Sequence, residues 1–441
     1  MKLLPDYTTT VEGTPATRDR SIDVARLSAL LVVMFGHCAL LLAAVDDSGV
    51  HIANSLGAIP SLVWITWILQ VMPLFFFAGA AAGTFSWKPG SSWGTWLFTR
   101  SQRLCRPVFW YLAAWTTALV GVRFMLGTHS AQALGNESVA LLWFLGTYLV
   151  TLAFVPALSR MHSGRTAALI VAGLLAVTGL GDLVRIHNSN PMVAGANYLA
   201  VWLIPMVIGA AYANRIYPRA VALSVAAVAL AGQIALVHIG PYDTSLVVTG
   251  GETMSNVSPP TLLLAMQCIW MPSLFVAIAP LVRRLAARPR TWYLIAVGNG
   301  GAMTLYLWHI AAIAVATFTL HAAGLDAYDV AAPDFWRNLA IRELTFAVVM
   351  TVFFLVLSPL EHLRLPWWDD PIHTAGSRST AAGALVCAGG VALLLMAKFG
   401  LGTGPGWWSL AGFIAAMAAA RLCFGPARAP IGAVPDTVPA S

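Results

Sequence analysis

Along this chain apolar runs follow one another, separated by short polar, Pro- or Gly-containing breaks. A bilayer core of about 30 Å takes roughly 20 helical residues, so apolar runs of roughly 17–25 residues are the informative unit. Twelve lie near residues 24–45, 58–85, 104–126, 138–160, 166–184, 196–212, 217–238, 260–282, 292–320, 338–360, 380–398 and 407–423. The pattern predicts an all-α polytopic membrane protein of about 12 spans. Residues 1–22 read as a cytoplasmic N-terminal tail, not a cleaved leader, because acidic and basic residues interleave there and the apolar run that follows is too long for a signal-peptide core. Residues 23–362 then hold ten helices, 363–379 a cytoplasmic linker, 380–424 a C-terminal helix pair, and 425–441 a Pro- and Ala-rich tail expected to be disordered.

Charge placement orients these spans. Positive residues are retained inside, and an even number of spans from an internal N-terminus makes both termini cytoplasmic. Of 25 Lys and Arg, 20 fall in predicted inside segments; the exceptions are Arg123, Arg185, Arg337, Arg342 and Lys398. Loops 127–137 and 239–259 contain neither Lys nor Arg, whereas Asp46, Asp47, Asp243, Glu252, Asp326, Asp329 and Asp334 fall outside. Composition agrees: 59% of residues are hydrophobic and 10% charged, against roughly 25% charged in a soluble domain, which excludes a soluble or disordered chain. The 17 Trp suit helices that end repeatedly at headgroups. Five scattered cysteines, Cys38, Cys105, Cys268, Cys387 and Cys423, give neither a disulfide framework nor a metal or redox motif, so no metal site is expected. The bilayer is the expected surrounding partner, and no nucleic acid is.

Ionisable groups inside a bilayer are costly and are candidates for function. In the first span, eleven residues separate Arg26 from His37; at about 100° and 1.5 Å per residue they share one helix face with an offset of about 16 Å. Arg26 then stands at the cytoplasmic interface and His37 near mid-membrane. Alone, Arg26 would read as a snorkelling anchor and His37 as an interhelical hydrogen-bonding group; the shared face favours chemistry, with a neutral imidazole able to act as a base. Asp23 can pair with Arg26, or serve only as a helix-start carboxylate. Arg100, Arg103 and Arg106, three residues apart, form a cationic strip suited to phosphates, or to a topology signal or anionic lipid. Tyr306 and His309 lie three apart in the ninth run. Pro73 followed by Gly79 and Gly83 reads as a kink and a small-residue packing face. Glu361, at a cytoplasmic helix end, opposes the dipole and calls for a cationic partner.

At these residues the chain resembles the acyltransferase-3 family of bacterial integral-membrane acyltransferases, which includes O-antigen and exopolysaccharide O-acetylases. Members look like ten-helix proteins with an Arg-x10-His motif in the first helix, matched by Arg26 and His37; an Arg-x-x-Arg motif opening the third, matched by Arg103 and Arg106; and a late Tyr-x-x-His-like segment, matched by Tyr306 and His309. The runs Phe75–Gly79, Trp143–Leu145 and Ser358–Glu361 are also similar, and the likeness covers roughly residues 20–362. The resemblance implies transfer of an acyl group, often acetyl, from cytoplasmic acyl-CoA, a substrate and not a bound cofactor, to a sugar hydroxyl of an extracytoplasmic glycan or glycolipid. It places the protein in the bacterial inner membrane. On that reading His37 is general base, Arg26 orients the donor or stabilises charge on the thioester, and the arginine strip holds donor phosphates; an acyl-histidine intermediate is the variant.

Two departures qualify the likeness. Some members carry a C-terminal SGNH-type hydrolase domain, where this chain has a helix pair, so the acceptor is expected to reach the bundle directly or through an envelope-biosynthesis partner. The Gly often found after the first-helix Asp is Val24 here. Two other classes compete. A glycosyltransferase with a lipid-linked donor would use an acidic pair such as Asp46 and Asp47, but leaves the arginine strip unexplained. A polar-lipid or glycan transporter would need paired broken helices and pseudo-symmetric halves, and neither is visible in the sequence.

Overall fold

A computed structural model describes residues 5–46, 49–188, 194–249, 252–373 and 376–426. The expected acidic residue Asp47, the side chain of Asp46 and nearly all of the 425–441 tail lie outside the described residues. The chain is an all-α polytopic membrane protein, 77% helical. Its helices are α1 (Tyr7–Glu12), α2 (Arg20–Leu40), α3 (Met72–Ser86), α4 (Trp93–Ala140), α5 (Leu142–Leu152), α6 (Gly164–Asn188), α7 (Asn197–Ala213), α8 (Arg219–Ile239), α9 (Leu262–Ala286), α10 (Pro289–Gly300), α11 (Ala302–Ala322), α12 (Phe335–Glu361), α13 (Ser377–Phe399) and α14 (Gly404–Leu422). A hairpin of β1 (Leu41–Asp46) and β2 (Gly49–Asn54) follows α2, with Leu41 opposite Asn54 and Asp46 opposite Gly49.

Among the described residues nine helical runs are long and apolar enough to cross a membrane, and α7 is a shorter apolar helix. The sequence count of twelve differs by three: the third and fourth runs join into one, α7 is short, and α14 is not among the nine. The third and fourth apolar runs lie in one helical stretch, Trp93–Leu152, interrupted where Gly127 takes φ 81° and ψ 175°, a conformation open to glycine. The ninth run instead splits at Gly301 into α10 and α11. The second begins as short pieces, Ser55–Ala58, Pro60–Ile65 and Thr66–Leu69, before α3. Pro73 lies in the first turn of α3 and so starts that helix without kinking it, a position where its missing N–H costs no hydrogen bond. The small-residue face follows as expected: a Cβ on Gly79 would overlap the Tyr148 hydroxyl.

Polar contacts sort the helix ends into two sets. At one end, rich in arginine, Arg20 donates to the Ala286 carbonyl, Arg283 stands 3.8 Å from Asp19, Arg106 donates to the Glu361 carbonyl, and Ser92 hydrogen-bonds Ser379. These join the starts of α2, α4 and α13 to the ends of α9 and α12. At the other end Tyr242 donates to Asp182, Arg185 to the Ser255 carbonyl, and Arg342, almost fully buried, to the Cys38 carbonyl. Each set unites ends that alternating spans must bring to the same side. α1 is capped by Asp6 and lies on α10, with the Tyr7 and Tyr293 rings 5.2 Å apart. In the interior α2 packs against α3, α9, α11 and α12, while α13 and α14 lie together, with α13 against α4 and α5.

Candidate active site

The site begins with α2, a continuous 21-residue helix. Asp19 caps it, accepting from the Ser21 N–H at 3.1 Å, and its interior contains no proline. Arg26 and His37 therefore keep the shared face and the offset of about 16 Å that an unbroken helix dictates. Asp23 takes a different partner from the one its spacing allowed. It receives Nε and Nη2 of Arg18 at 2.8 and 2.7 Å, because the segment before the helix folds back over the first turn and a bidentate fork outcompetes an i,i+3 contact. The Arg18 guanidinium is held above its ordinary pKa by this bond. Arg26 is half-buried and makes no hydrogen bond or ion pair among the described residues. The Tyr148 phenol lies within electrostatic reach of Arg26 and Arg100.

At the far end of that face, His37 meets His309 of α11, Nδ1 to Nε2 at 3.0 Å, with the rings stacked at 5.2 Å and an interplanar angle of 26°. The network assigns the tautomers. His309 Nδ1 lies 2.8 Å from the Tyr306 carbonyl, which can only accept, so that nitrogen carries the proton. His309 Nε2 is then the acceptor in the neutral ring, His37 Nδ1 is its donor, and the lone pair of His37 is left on Nε2. His309 is fully buried and His37 is not. The less buried member of the pair thus carries the free base nitrogen.

The arginine strip divides. Arg103 and Arg106 line a cavity of about 600 Å³ together with Thr99, Gln102, Glu361, His362, Arg364 and Asp369. Arg100 turns away, its guanidinium 3.7 Å from the Trp96 ring centre and bonded to the Ser86 hydroxyl at the end of α3. Arg106 is tied to the Glu361 carbonyl at 3.0 Å and to Asp369 at 3.3 Å, whereas Arg103 is exposed and makes no hydrogen bond or ion pair among the described residues.

Glu361 also has an unexpected partner. Its carboxylate accepts the Thr304 N–H at 3.0 Å and the Thr304 hydroxyl at 2.9 Å, capping the first turn of α11; the positive end of a helix dipole replaces the cationic side chain that was anticipated. Tyr306 donates to the Leu141 carbonyl at 2.5 Å and its ring meets Phe144 edge-on, so its phenol is committed to the start of α5 rather than to the imidazoles. Sequence reasoning missed Gln102, His362, Arg364 and Asp369. The polar stretch after Glu361 was the one signal for the last three, but nothing local says that it folds back onto α4, and Gln102 lies between the strip's own arginines.

The five cysteines are free, and no cluster of metal-ligating side chains is present among the described residues. A family model described as an acyltransferase domain, that of acyltransferase 3, matches residues 19–360. No match was found among curated proteins or solved structures. The match contains α2 through nearly all of α12, and with them His37, His309 and the strip on α4.

Proposed function

This chain belongs to the acyltransferase-3 family and is a membrane acyltransferase, and from that premise we propose that it moves an acyl group, acetyl in the first instance, from acyl-CoA to a hydroxyl of a glycan or glycolipid. The donor binds at the arginine-rich end, which faces the cytoplasm of a bacterial cell with both chain termini. The acceptor approaches His37 from the opposite side. Acyl-CoA is a substrate, and no permanently bound cofactor takes part.

The observation that carries this reading is the His37–His309 pair. His37 Nε2 takes the proton of the acceptor hydroxyl as its oxygen attacks the thioester carbonyl. The tetrahedral species collapses, the C–S bond breaks, and the departing thiolate takes the proton from His37, so the products are the ester and free coenzyme A. While His37 is protonated, its Nδ1–H remains donated to His309, whose own proton is held by the Tyr306 carbonyl. The second imidazole thus orients the first and shares its transient charge. Arg26, about 16 Å away along α2, is too far to touch the same atoms. Its fork, unpaired among the described residues, suits the donor on its way from the arginine-rich mouth, with the pantetheine arm covering the distance to His37.

The test is thiol release by purified protein in nanodiscs. Acetyl-CoA should yield free thiol only when an acceptor fraction is supplied, and mass spectrometry of that fraction should show an acyl-sized increment. A transporter would release no thiol under any condition. Transfer by His37→Ala at the wild-type single-turnover rate would remove the base assignment.

A further inference from the structure

We propose that residues 362–373 are a phosphate-binding strap. Arg364 joins Arg103 and Arg106 in holding the phosphates of coenzyme A, Asp369 occupies Arg106 until they arrive, and the C-terminal helix pair is the anchor that keeps the strap in place. This rests on the donor site proposed above and adds to it residues beyond the 19–360 match.

One wall of the 600 Å³ cavity is α4, through Thr99, Gln102, Arg103 and Arg106; the other is the chain that leaves α12, through His362, Arg364 and Asp369. Three guanidinium groups therefore face a space that holds two carboxylates. Glu361 is committed to the first turn of α11. Asp369 is left to neutralise the cavity, and it does so sparingly: Nη1 of Arg106 reaches it at 3.3 Å, a single long contact, and the same oxygen already accepts the Leu365 N–H at 2.8 Å. Arg364 donates only weakly, to the Asp369 carbonyl at 3.4 Å. Planar forks with unused N–H groups are what a phosphate, with its several oxygens, satisfies better than one carboxylate oxygen.

The strap is firmly held on its other side. Gln102 donates to the Trp368 carbonyl at 2.5 Å and receives Trp368 Nε1–H on its own carbonyl at 3.1 Å. The buried Trp368 ring packs on Phe98 and Phe109, at 5.3 and 5.0 Å. Trp367 sits at φ +66°, uncommon for an aromatic residue, and its carbonyl is held at 2.7 Å by Arg421 near the end of α14. Beyond it, Ile372 and His373 pair with Pro426 and Gly425. The Arg421 bond to the Trp367 carbonyl and the pairing of Ile372 and His373 fix the strap's backbone, the Arg421 guanidinium also lies 5.6 Å from the Trp367 ring centre, and Arg364 and Asp369 are left to the cavity. A local conformation held by its surroundings in this way marks a positioned segment rather than an idle linker.

Coenzyme A binding, measured by calorimetry on the full chain in zwitterionic nanodiscs, tests the proposal. Arg364→Gln should weaken binding about tenfold, the effect of removing one charge-assisted hydrogen bond. Asp369→Asn, which keeps an acceptor for the Leu365 N–H, should tighten it severalfold. Arg421→Gln, remote from the cavity, should weaken it less than Arg364→Gln. Pantetheine, which lacks the phosphates, should bind all of these variants alike. If Arg103→Gln and Arg106→Gln leave coenzyme A affinity unchanged, the donor site itself is misplaced. Should those two weaken binding while Arg364→Gln and Asp369→Asn do nothing, the donor site stands and the strap fails. An effect of Arg364→Gln seen only with anionic lipid would assign the strap to headgroups and overturn the proposal equally.

Discussion

The histidine pair and the arginine cavity, the two polar regions of the proposed site, are built on opposite terms. Between α2 and α11 three of four imidazole nitrogens have fixed roles and one ring is fully buried, so the remaining nitrogen is aimed before any substrate arrives. At the basic end Arg103 is unpaired among the described residues, and the side chains of Arg106 and Asp369, 16% and 11% exposed, share one long contact. A catalytic group gains from rigid preorganisation, because reorganisation during the reaction is then small. A site for a large, highly charged substrate gains from donors not yet saturated. The contrast is sharp enough to be broken by experiment.

The largest effect is expected at the aimed nitrogen. His37→Ala should lower kcat by about 10²–10⁴-fold, the range for a lost general base, with coenzyme A affinity unchanged in calorimetry. A loss of affinity of comparable size would show that the two regions are one, and the comparison would fall. His309→Ala comes next. It removes the acceptor that holds His37 Nδ1–H and its share of the developing charge, about 1.5–3 kcal/mol or roughly 10–100-fold in kcat. In the positioning role proposed for His309, His309→Gln, which offers an amide oxygen in place of Nε2, should recover part of the rate; a merely structural role would give Ala and Gln variants the same melting temperature deficit and the same rate.

Arg103→Gln should act on the other region in the other way. With one phosphate-binding guanidinium removed, KM for acyl-CoA should rise about tenfold while kcat stays nearly constant, the signature of uniform binding. Added salt should narrow the gap between variant and wild type, since exposed charges are screened. A fall in kcat with KM unchanged would move Arg103 from binding to chemistry.

How much of this was legible beforehand depends on the range of the interaction. Apolar run lengths announced the helices, and the match over 19–360 begins and ends within two residues of the resemblance read near 20–362. The shared face of Arg26 and His37 is intrahelical, so spacing alone contained it. The pairing of His37 with His309 spans 272 positions in the chain, and only packing of α2 on α11 creates it. Likewise the partner of Asp23 lies before the helix and not inside it, and the partner of Glu361 is a helix terminus rather than a side chain. The strap was visible as a polar stretch, but its role depends on Gln102 and Arg421, which lie 266 and 54 positions from their strap partners.

Tyr306 sets the boundary between the two kinds of region, and it carries the smallest predicted effect. Its phenol donates to the Leu141 carbonyl, which also accepts the Phe144 N–H, so Tyr306→Phe deletes one buried hydrogen bond without stripping that carbonyl of every partner. The expected cost is about 1 kcal/mol of stability, read as a lower melting temperature in nanodiscs, with kcat and KM near wild type. The Tyr306 carbonyl, which fixes the His309 tautomer, survives the substitution untouched. If kcat instead falls a hundredfold while the melting temperature holds, the phenol takes part in the chemistry, and the preorganised region extends past the imidazoles to the Leu141 carbonyl.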